Sequence, residues 1–343
     1  PDKLGDHQGN AGRSYQFPFT CNQGKLPGID LGLDAIDLEA HMKRTTRFKN
    51  LIHDSRILSL PGIHDPLTAR IAQQIGFEAI TCGGYSISAS MLGAPDVSVL
   101  SVSEMADHYA RVCDAVDLPV FGDGDTGFGN ITNTARTVRS YERSGLAGMF
   151  IEDQVFPKRC GHMTGKDVVP IEEMVGKLKC ALDAREDPDF VIMARTDANA
   201  VYGIDIAIER AQIYREVGAD LIFVEAPINI NEMQRICDEV DGPCLANNIE
   251  GGASPVLPAD KLQDIGYAVF TNPVALTHAV AHMAFDILGA LKRDGTTQAV
   301  ADRIMDFEAF HEVVGLKEIR DGERSYQDFA ENITSKHTNQ TNP

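Results

Sequence analysis

The sequence predicts a (β/α)8 barrel of the TIM type, and three observations carry that reading. Eight short apolar, β-rich runs recur along the 343 residues, helical stretches separate them, and chemistry-bearing residues stand where the runs end. Each run is nearly all apolar, as a sheet covered on both faces requires. Eight such units over about 240 residues match a closed parallel barrel. A doubly wound open sheet is the alternative topology.

The elements follow in order. Residues 1–45, with "PDKLGDHQGNAGRSYQFPFTCNQGKLPG", are polar, Gly- and Pro-rich and aperiodic, and are expected to form an irregular arm. The barrel is expected over 46–293. Its strands are "ILSLPG" (57–62), "AITCGG" (79–84), "LPVFGDGD" (118–125), "GMFIED" (148–153), "FVIMARTD" (190–197), "LIFVEA" (221–226), "CLANN" (244–248) and "AVFTNP" (268–273). Between them "DPLTARIAQQIG", "VSEMADHYARVCDAV", "NTARTVRSYERSG", "IEEMVGKLKCALDAR" and "IDIAIERAQIYREVG" carry apolar residues at helical spacing. "THAVAHMAFDILGALKRDG" is an amphipathic helix closing the eighth unit. A C-terminal segment, 294–343, remains. Its stretch 302–326, "DRIMDFEAFHEVVGLKEIRDGERSY", has a helical apolar stripe and no strand after it, so it is expected to pack on a neighbouring subunit.

Composition narrows the function. Fifty acidic residues against 31 basic ones give a net charge of −19, which argues against nucleic acid and against an anionic membrane surface. No apolar run approaches membrane-spanning length and no signal-peptide pattern opens the chain. The seven cysteines are scattered and form no CxxC pair, so a reduced, cytoplasmic protein is expected, without a disulfide framework or zinc site.

Barrel strand ends converge on one rim, where active sites are built. Here they carry Gly83, Gly84 and Tyr85; Asp123 and Asp125; Glu152; Arg195 and Asp197; Glu225; Asn247; and Asn272 with Pro273. Helix N-caps would explain some of these singly but not their concentration. In "GDGDTGFGN" (122–130) Asp123 and Asp125 alternate and can aim at one hard cation, with Glu152 and Asp96 of "MLGAPD" completing an oxygen shell. Mg2+ suits such ligation, and Mn2+ is also compatible. Cys160 stands in "EDQVFPKRCGH" (152–162) among Lys158, Arg159, Gly161 and His162. Neighbouring cations favour a thiolate or easy proton exchange, so a catalytic lid is expected. Arg195 ends an apolar strand; it can capture a carboxylate or phosphate, pair with Glu225, or do both.

From about residue 50 to 325 the chain resembles the isocitrate lyase/phosphoenolpyruvate mutase superfamily in its short-chain carbon–carbon lyase branch. That branch includes 2-methylisocitrate lyase, 2,3-dimethylmalate lyase, oxaloacetate hydrolase and the petal death protein. "GYSISASMLGAPD", "GDGDTGFGN", "IEDQVFPKRCGHM", "ARTDA", "VEAP" and "ANNIEGG" carry the resemblance, and the lid motif KRCGH marks the lyase side. It implies a barrel whose last helices swap between protomers, within a homotetramer. It also implies Mg2+ held directly by Asp123, with Asp125, Asp96 and Glu152 acting partly through water. By the same resemblance, backbone amides of Gly83, Gly84 and Tyr85 bind the substrate's 2-carboxylate, and Arg195, oriented by Glu225, holds a carboxylate or the developing carbonyl. His162 and Asn247 contact the distal carboxylate, Gly161 lies against substrate, and Lys158 and Cys160 belong to the catalytic set, Cys160 handling the proton. Gly83 stands where relatives often have serine. Pro273 stands where oxaloacetate hydrolases carry serine. The implied activity is cleavage of a 2-hydroxydicarboxylate (2-methylisocitrate, isocitrate or 2,3-dimethylmalate) to pyruvate or glyoxylate plus a saturated acid. Oxaloacetate hydrolysis to oxalate and acetate is the alternative. A catalytically silent scaffold is disfavoured because the motif residues are complete.

Overall fold

Apolar residues pointing inward along each strand, with the site residues one inward step further on, build both the barrel's core and its site. The computed structural model describes residues 42–159 and 165–338. The strands are β1 (Leu58–Pro61), β2 (Ile80–Cys82), β3 (Val120–Asp123), β4 (Gly148–Glu152), β5 (Val191–Thr196), β6 (Leu221–Val224), β7 (Leu245–Asn247) and β8 (Val269–Asn272). All pairings are parallel, in the orders β2-β3-β4-β5-β6 and β7-β8-β1. Parallel bridges Gly62↔Thr81 and Ile222↔Cys244 join these two runs and close the barrel. The open-sheet alternative is thereby excluded.

Because side chains alternate along a strand, every second residue points into the barrel. Leu58, Leu60, Ala79, Phe121, Phe150, Val191, Met193, Leu221, Phe223, Leu245 and Val269 form that interior cluster. The intervening residues, Ile80, Val120, Met149, Ile151, Ile192, Ile222 and Ala246 among them, pack outward under the helices. One step further along β3, β4, β5 and β7 the inward position falls on Asp123, Glu152, Arg195 and Asn247. The same step past β2, β6 and β8 gives Gly83, Glu225 and Pro273.

The described helices up to the eighth strand are α1 (Arg44–Leu51), α2 (Pro66–Ile75), α3 (Gly84–Leu92), α4 (Val102–Ala115), α5 (Ile131–Arg143), α6 (Ile171–Ala184), α7 (Asn199–Tyr202), α8 (Ile204–Val217), α9 (Ile230–Glu239) and α10 (Ala259–Ile265). Their side-chain N-caps are Asp65 for α2, Ser101 for α4, Asn130 for α5 and Asn229 for α9. None of these is a rim residue singled out from the sequence, so capping does not account for the acids at the strand ends.

Helix α1 stoppers the opposite end. Its Phe48 is fully buried and stacks on Phe121 with ring centroids 5.2 Å apart. Arg44 donates to the carbonyls of Cys113 and Val116 at 2.8 and 2.6 Å, and Thr46 donates to Asp189 Oδ2 at 2.6 Å.

After β8 come α11 (Ala275–Asp294), a 3-10 turn (Gln298–Arg303), α12 (Phe307–Val313) and α13 (Leu316–Thr338). The stretch expected as one helix over 302–326 is thus broken, at 304–306 and again at Gly315, whose φ of 73° only glycine adopts readily. Among described residues α11 buries only Ala290 and leaves Phe285 82% exposed. Ile319, Tyr326, Phe329 and Ile333 form an exposed stripe along α13.

Candidate active site

The apolar floor of Phe121, Phe150, Met193 and Phe223 lies beneath a pocket at the rim. Gly83, Gly84, Tyr85, Asp96, Asp123, Lys158, Arg195, Glu225, Asn247 and Pro273 line it. Asp125 and Glu152 join through ion pairs with Lys158 and Arg195. Every sequence-predicted site residue within the described residues is therefore brought to one place. Cys160, Gly161 and His162 lie outside the described residues.

The site has two charged halves. In the first, Lys158 Nζ sits 2.6 Å from Asp96 Oδ2 and 2.9 Å from Asp125 Oδ1, with only 3% of its side chain exposed. Asp123 accepts the amide of Asp125 at Oδ1 and that of Gly84 at Oδ2, both at 2.8 Å. The Gly84 amide, expected to meet a substrate carboxylate, serves this aspartate instead. A Cβ on Gly84 would stand 3.0 Å from Asp123 Oδ2, so a larger residue there would press on this carboxylate. Asp125 takes φ 47°, a left-handed conformation that aspartate tolerates better than most residues. Burial pushes the Asp125 carboxyl up to about 7; Lys158 opposes this and the neighbouring Asp123 and Asp96 add to it. The Lys158 ammonium thus lies among these acids.

In the second half Arg195 meets three carboxylates. Its Nε is 2.9 Å from Asp197 Oδ2 and 3.3 Å from Glu152 Oε2; its Nη2 is 3.0 Å from Glu225 Oε2. The guanidinium carbon lies 5.2 Å from the Phe223 ring centroid and 5.8 Å from that of Phe150, so the rings flank the cation. Burial opposes its charge, but Asp197, Glu152 and Glu225 outweigh that and hold it protonated. Burial likewise opposes ionisation of Asp197, yet Arg195 and Lys166 bring its carboxyl down to about 2.

Polar atoms without partners mark what the site lacks. Among the described residues neither oxygen of Glu152 accepts a hydrogen bond, nor does Asn247 Oδ1, and Thr271 Oγ1 also stands without one. Burial pushes the Glu152 carboxyl well above the usual carboxylate range, with Arg195 opposing. Among the described residues no group of three or more acids, histidines or cysteines forms a ready-made metal cage. The donor chemistry nevertheless fits a hard divalent cation: four buried carboxylates (Asp96, Asp123, Asp125 and Glu152) crowd one ammonium, and the oxygens of Glu152 accept no hydrogen bond. Sequence reasoning missed Asp153 and Lys166. Asp153 directly follows Glu152 in sequence, and the lysine stands in a stretch without periodicity.

Residues 48–291 match the family described as phosphoenolpyruvate phosphomutase. The chain belongs to this family, within the phosphoenolpyruvate mutase/isocitrate lyase superfamily. Its relatives include 2,3-dimethylmalate lyase of Eubacterium barkeri, 44% identical over 83% of this chain and 99% of the relative. They also include 2-methylisocitrate lyase of Escherichia coli K12, 38% identical over 78% of this chain and 90% of the relative. Among solved structures, oxaloacetate acetylhydrolase with 3,3-difluorooxalacetate superposes with a TM-score of 0.79 at 30% identity, covering 83% of this chain and 97% of that one. Within the family the chain is a carbon–carbon lyase.

Proposed function

We propose that the protein cleaves the C2–C3 bond of a 2-hydroxydicarboxylate, namely 2,3-dimethylmalate, 2-methylisocitrate or isocitrate, giving pyruvate or glyoxylate and a saturated acid. The observation that carries the reading is the juxtaposition of the Asp96–Asp123–Asp125–Glu152 acids with Arg195 across one apolar-floored pocket. Mg2+, with Mn2+ as substitute, is the proposed cofactor, held directly by Asp123 with Asp96, Asp125 and Glu152 supporting it partly through water. Bound there, it supplies Lewis-acid stabilisation to the substrate's hydroxyl oxygen. Arg195, oriented by Glu225 and Asp197, holds a substrate carboxylate or the carbonyl oxygen that develops at C2. The hydroxyl passes its proton to water, its electron pair forms the C2 carbonyl as the C2–C3 pair moves to C3, and the Cys160 thiol donates a proton to C3 and is reprotonated from water. Asn247, with its unsatisfied Oδ1, and His162 face the carboxylate adjacent to C3 in this reading, and Gly83, Tyr85 and Gly161 the rest of the substrate. Lys158 neutralises the acids and keeps them gathered.

Hydrolysis of oxaloacetate is the second reading, favoured by the 0.79 TM-score. Pro273 weighs against it, because its ring offers no donor to a hydrate hydroxyl. A silent scaffold is disfavoured by the assembled, charge-crowded rim. Assay of dimethylmalate, methylisocitrate, isocitrate, citramalate and oxaloacetate with Mg2+, with products identified by mass, tests the reading. Turnover abolished by EDTA and restored by Mg2+ is expected; inactivity on all five favours the scaffold.

We further propose a homotetramer in which the C-terminal helices 294–343 pack on neighbours. The exposed stripe of α13 and the exposed Phe285 and Leu288 of α11 support this. A cytoplasmic location is also proposed: the five described cysteines are free thiols, and no described helix is long and apolar enough to cross a membrane.

A further inference from the structure

Two lysines flank residues 160–164, and they reach opposite halves of the site. Lys158 meets Asp96 and Asp125 as described. Lys166 Nζ lies 2.7 Å from Asp197 Oδ1, and these side chains are 3% and 0% exposed. The chain around them is held at its base: Gln154 bridges Val168, the Val155 amide donates to the Asp167 carbonyl at 2.9 Å, and Gln154 Nε2 donates to the Arg159 carbonyl at 2.8 Å. Lys166 is therefore a fixed part of the rim, not a surface lysine resting on it.

Asp197 joins that lysine to the arginine. Its Oδ2 accepts from Arg195 Nε at 2.9 Å and its Oδ1 from Nη2 at 3.1 Å, a two-point grip on one edge of the guanidinium. The grip is anchored from behind. The Asp197 amide donates to Asp153 Oδ1 at 2.9 Å, while Asp153 Oδ2 accepts from Thr196, Tyr214 and Arg210 at 2.7, 2.9 and 3.0 Å. These contacts use Nε and Nη2 and leave Nη1 outside the grip. Without Lys166, Asp197 would lose one of the two cations that hold it ionised, leaving it to Arg195.

We propose that Lys166 and Asp197 are positioning residues for Arg195: the lysine fixes the aspartate, the aspartate fixes the Nε/Nη2 edge, and the arginine meets substrate in one orientation. The role rests on the lyase reading, and its test separates the two. Lys166→Met keeps the chain length and removes the charge. Loss of about 10²-fold in kcat/KM is expected, as for a misplaced catalytic group. Lys166→Arg should recover part of it. The double variant Lys166→Met/Asp197→Asn should be no worse than Asp197→Asn, because both changes act through one arginine. Oxalate affinity with Mg2+, read by calorimetry on folded protein, should fall about tenfold in Lys166→Met if the anion site has lost its orientation. Activity and oxalate affinity both within about twofold of native would overturn the positioning role, since correct orientation is worth far more than that. Equal losses in the Met and Arg variants, accounted for by a smaller folded fraction, would overturn it as well. If native protein turns over no hydroxydicarboxylate the lyase reading falls, and oxalate affinity alone then decides the role of Lys166. Should Lys166→Met fail to fold, Lys166→Gln is measured in its place.

Discussion

The two ends of this barrel are built from the same strands on opposite terms. At the floor, Phe48 and Ile52 enter an apolar interior, and the polar groups of α1 lie outside it, bonded to turn carbonyls and to the half-exposed Asp187 and Asp189. At the rim, one residue further along the inward row, buried acids crowd Lys158 and Arg195, and Glu152 and Asn247 leave acceptors unpaired. Backbone strain follows the same division: Asp125 and Ala226, both on the rim, take φ of 47° and 57°. One end is arranged for stability. The other withholds satisfaction from groups that a bound ligand can complete, at a cost of about 1–3 kcal/mol for each buried unpaired group. Substitutions at the two ends should therefore fail in different measurements.

The largest effect belongs to the rim. Cys160→Ser should lower kcat by about 10²–10⁴-fold, the usual contribution of a general acid or base, with KM and melting temperature near native. Retention of more than a tenth of native kcat would take the proton-transfer role from this thiol. At the floor the readouts exchange. Phe48→Ala removes a fully buried ring that stacks on Phe121 and should destabilise the fold by about 3–5 kcal/mol in urea titrations. The remaining folded protein should keep its KM. A raised KM with unchanged stability would show that the two ends are not separable.

Pro273 gives an effect of middle size and tests specificity inside the rim. Its carbonyl accepts from Ser86 Oγ at 3.1 Å and closes over Gly62, where a Cβ would come within 2.3 Å of the Pro273 oxygen. The proline is thus held from below and cannot retreat from the pocket. A hydrate hydroxyl left unpaired against its ring would cost about 1–3 kcal/mol, or one to two decades in rate. Pro273→Ser should gain oxaloacetate hydrolysis by that order and lose activity on the branched substrate. Native enzyme that hydrolyses oxaloacetate faster than it cleaves any branched hydroxydicarboxylate would replace the leading function by the second.

How much of this was legible follows from where each signal resides. The strands could be read because each is apolar on both faces, and the rim acids because the chemistry sits one residue past the apolar run. Helix α3 was not read: "GYSISASML" mixes glycine and serine, and its start is set by the Gly84 amide meeting Asp123. Helix α1 lies astride the boundary drawn for the arm, and its burial depends on fitting the barrel mouth. Asp153 and Lys166 acquire roles only from partners 43 to 61 and 31 residues away, which no local pattern reports. The single helix expected over 302–326 missed the break that Gly315 permits.

The smallest effect concerns acid stability, where the two ends should separate by pH. His108, behind the rim, is buried and its ring Nε2 bonds to the His64 carbonyl at 2.9 Å. Burial holds its pKa below the ordinary 6.5; the His64 carbonyl and Asp65 oppose this, and Arg111 and His64 add to it. The unfolded chain therefore takes up the proton first. The contribution of this histidine to stability is complete above pH 6.5 and is lost as pH falls through that value toward the folded pKa. At the floor the unfolded chain again takes up the proton first, but at a lower pH. The Thr46 hydroxyl holds Asp189 below the ordinary 3.8; burial opposes it and Lys49 adds to it. Its contribution is present above pH 3.8 and disappears only as pH drops through the lower folded value. Melting temperatures measured from pH 8 to pH 3 at saturating Mg2+ should thus show the His108→Gln variant differing from native in its slope near and below pH 6.5. The Asp189→Asn variant should lose the native advantage in the neutral range and converge with native at the acid end. Two variants whose differences from native arise in the same pH window would mean that the ends of the barrel titrate as one body, and the division between a satisfied floor and an unsatisfied rim would not extend to their protons.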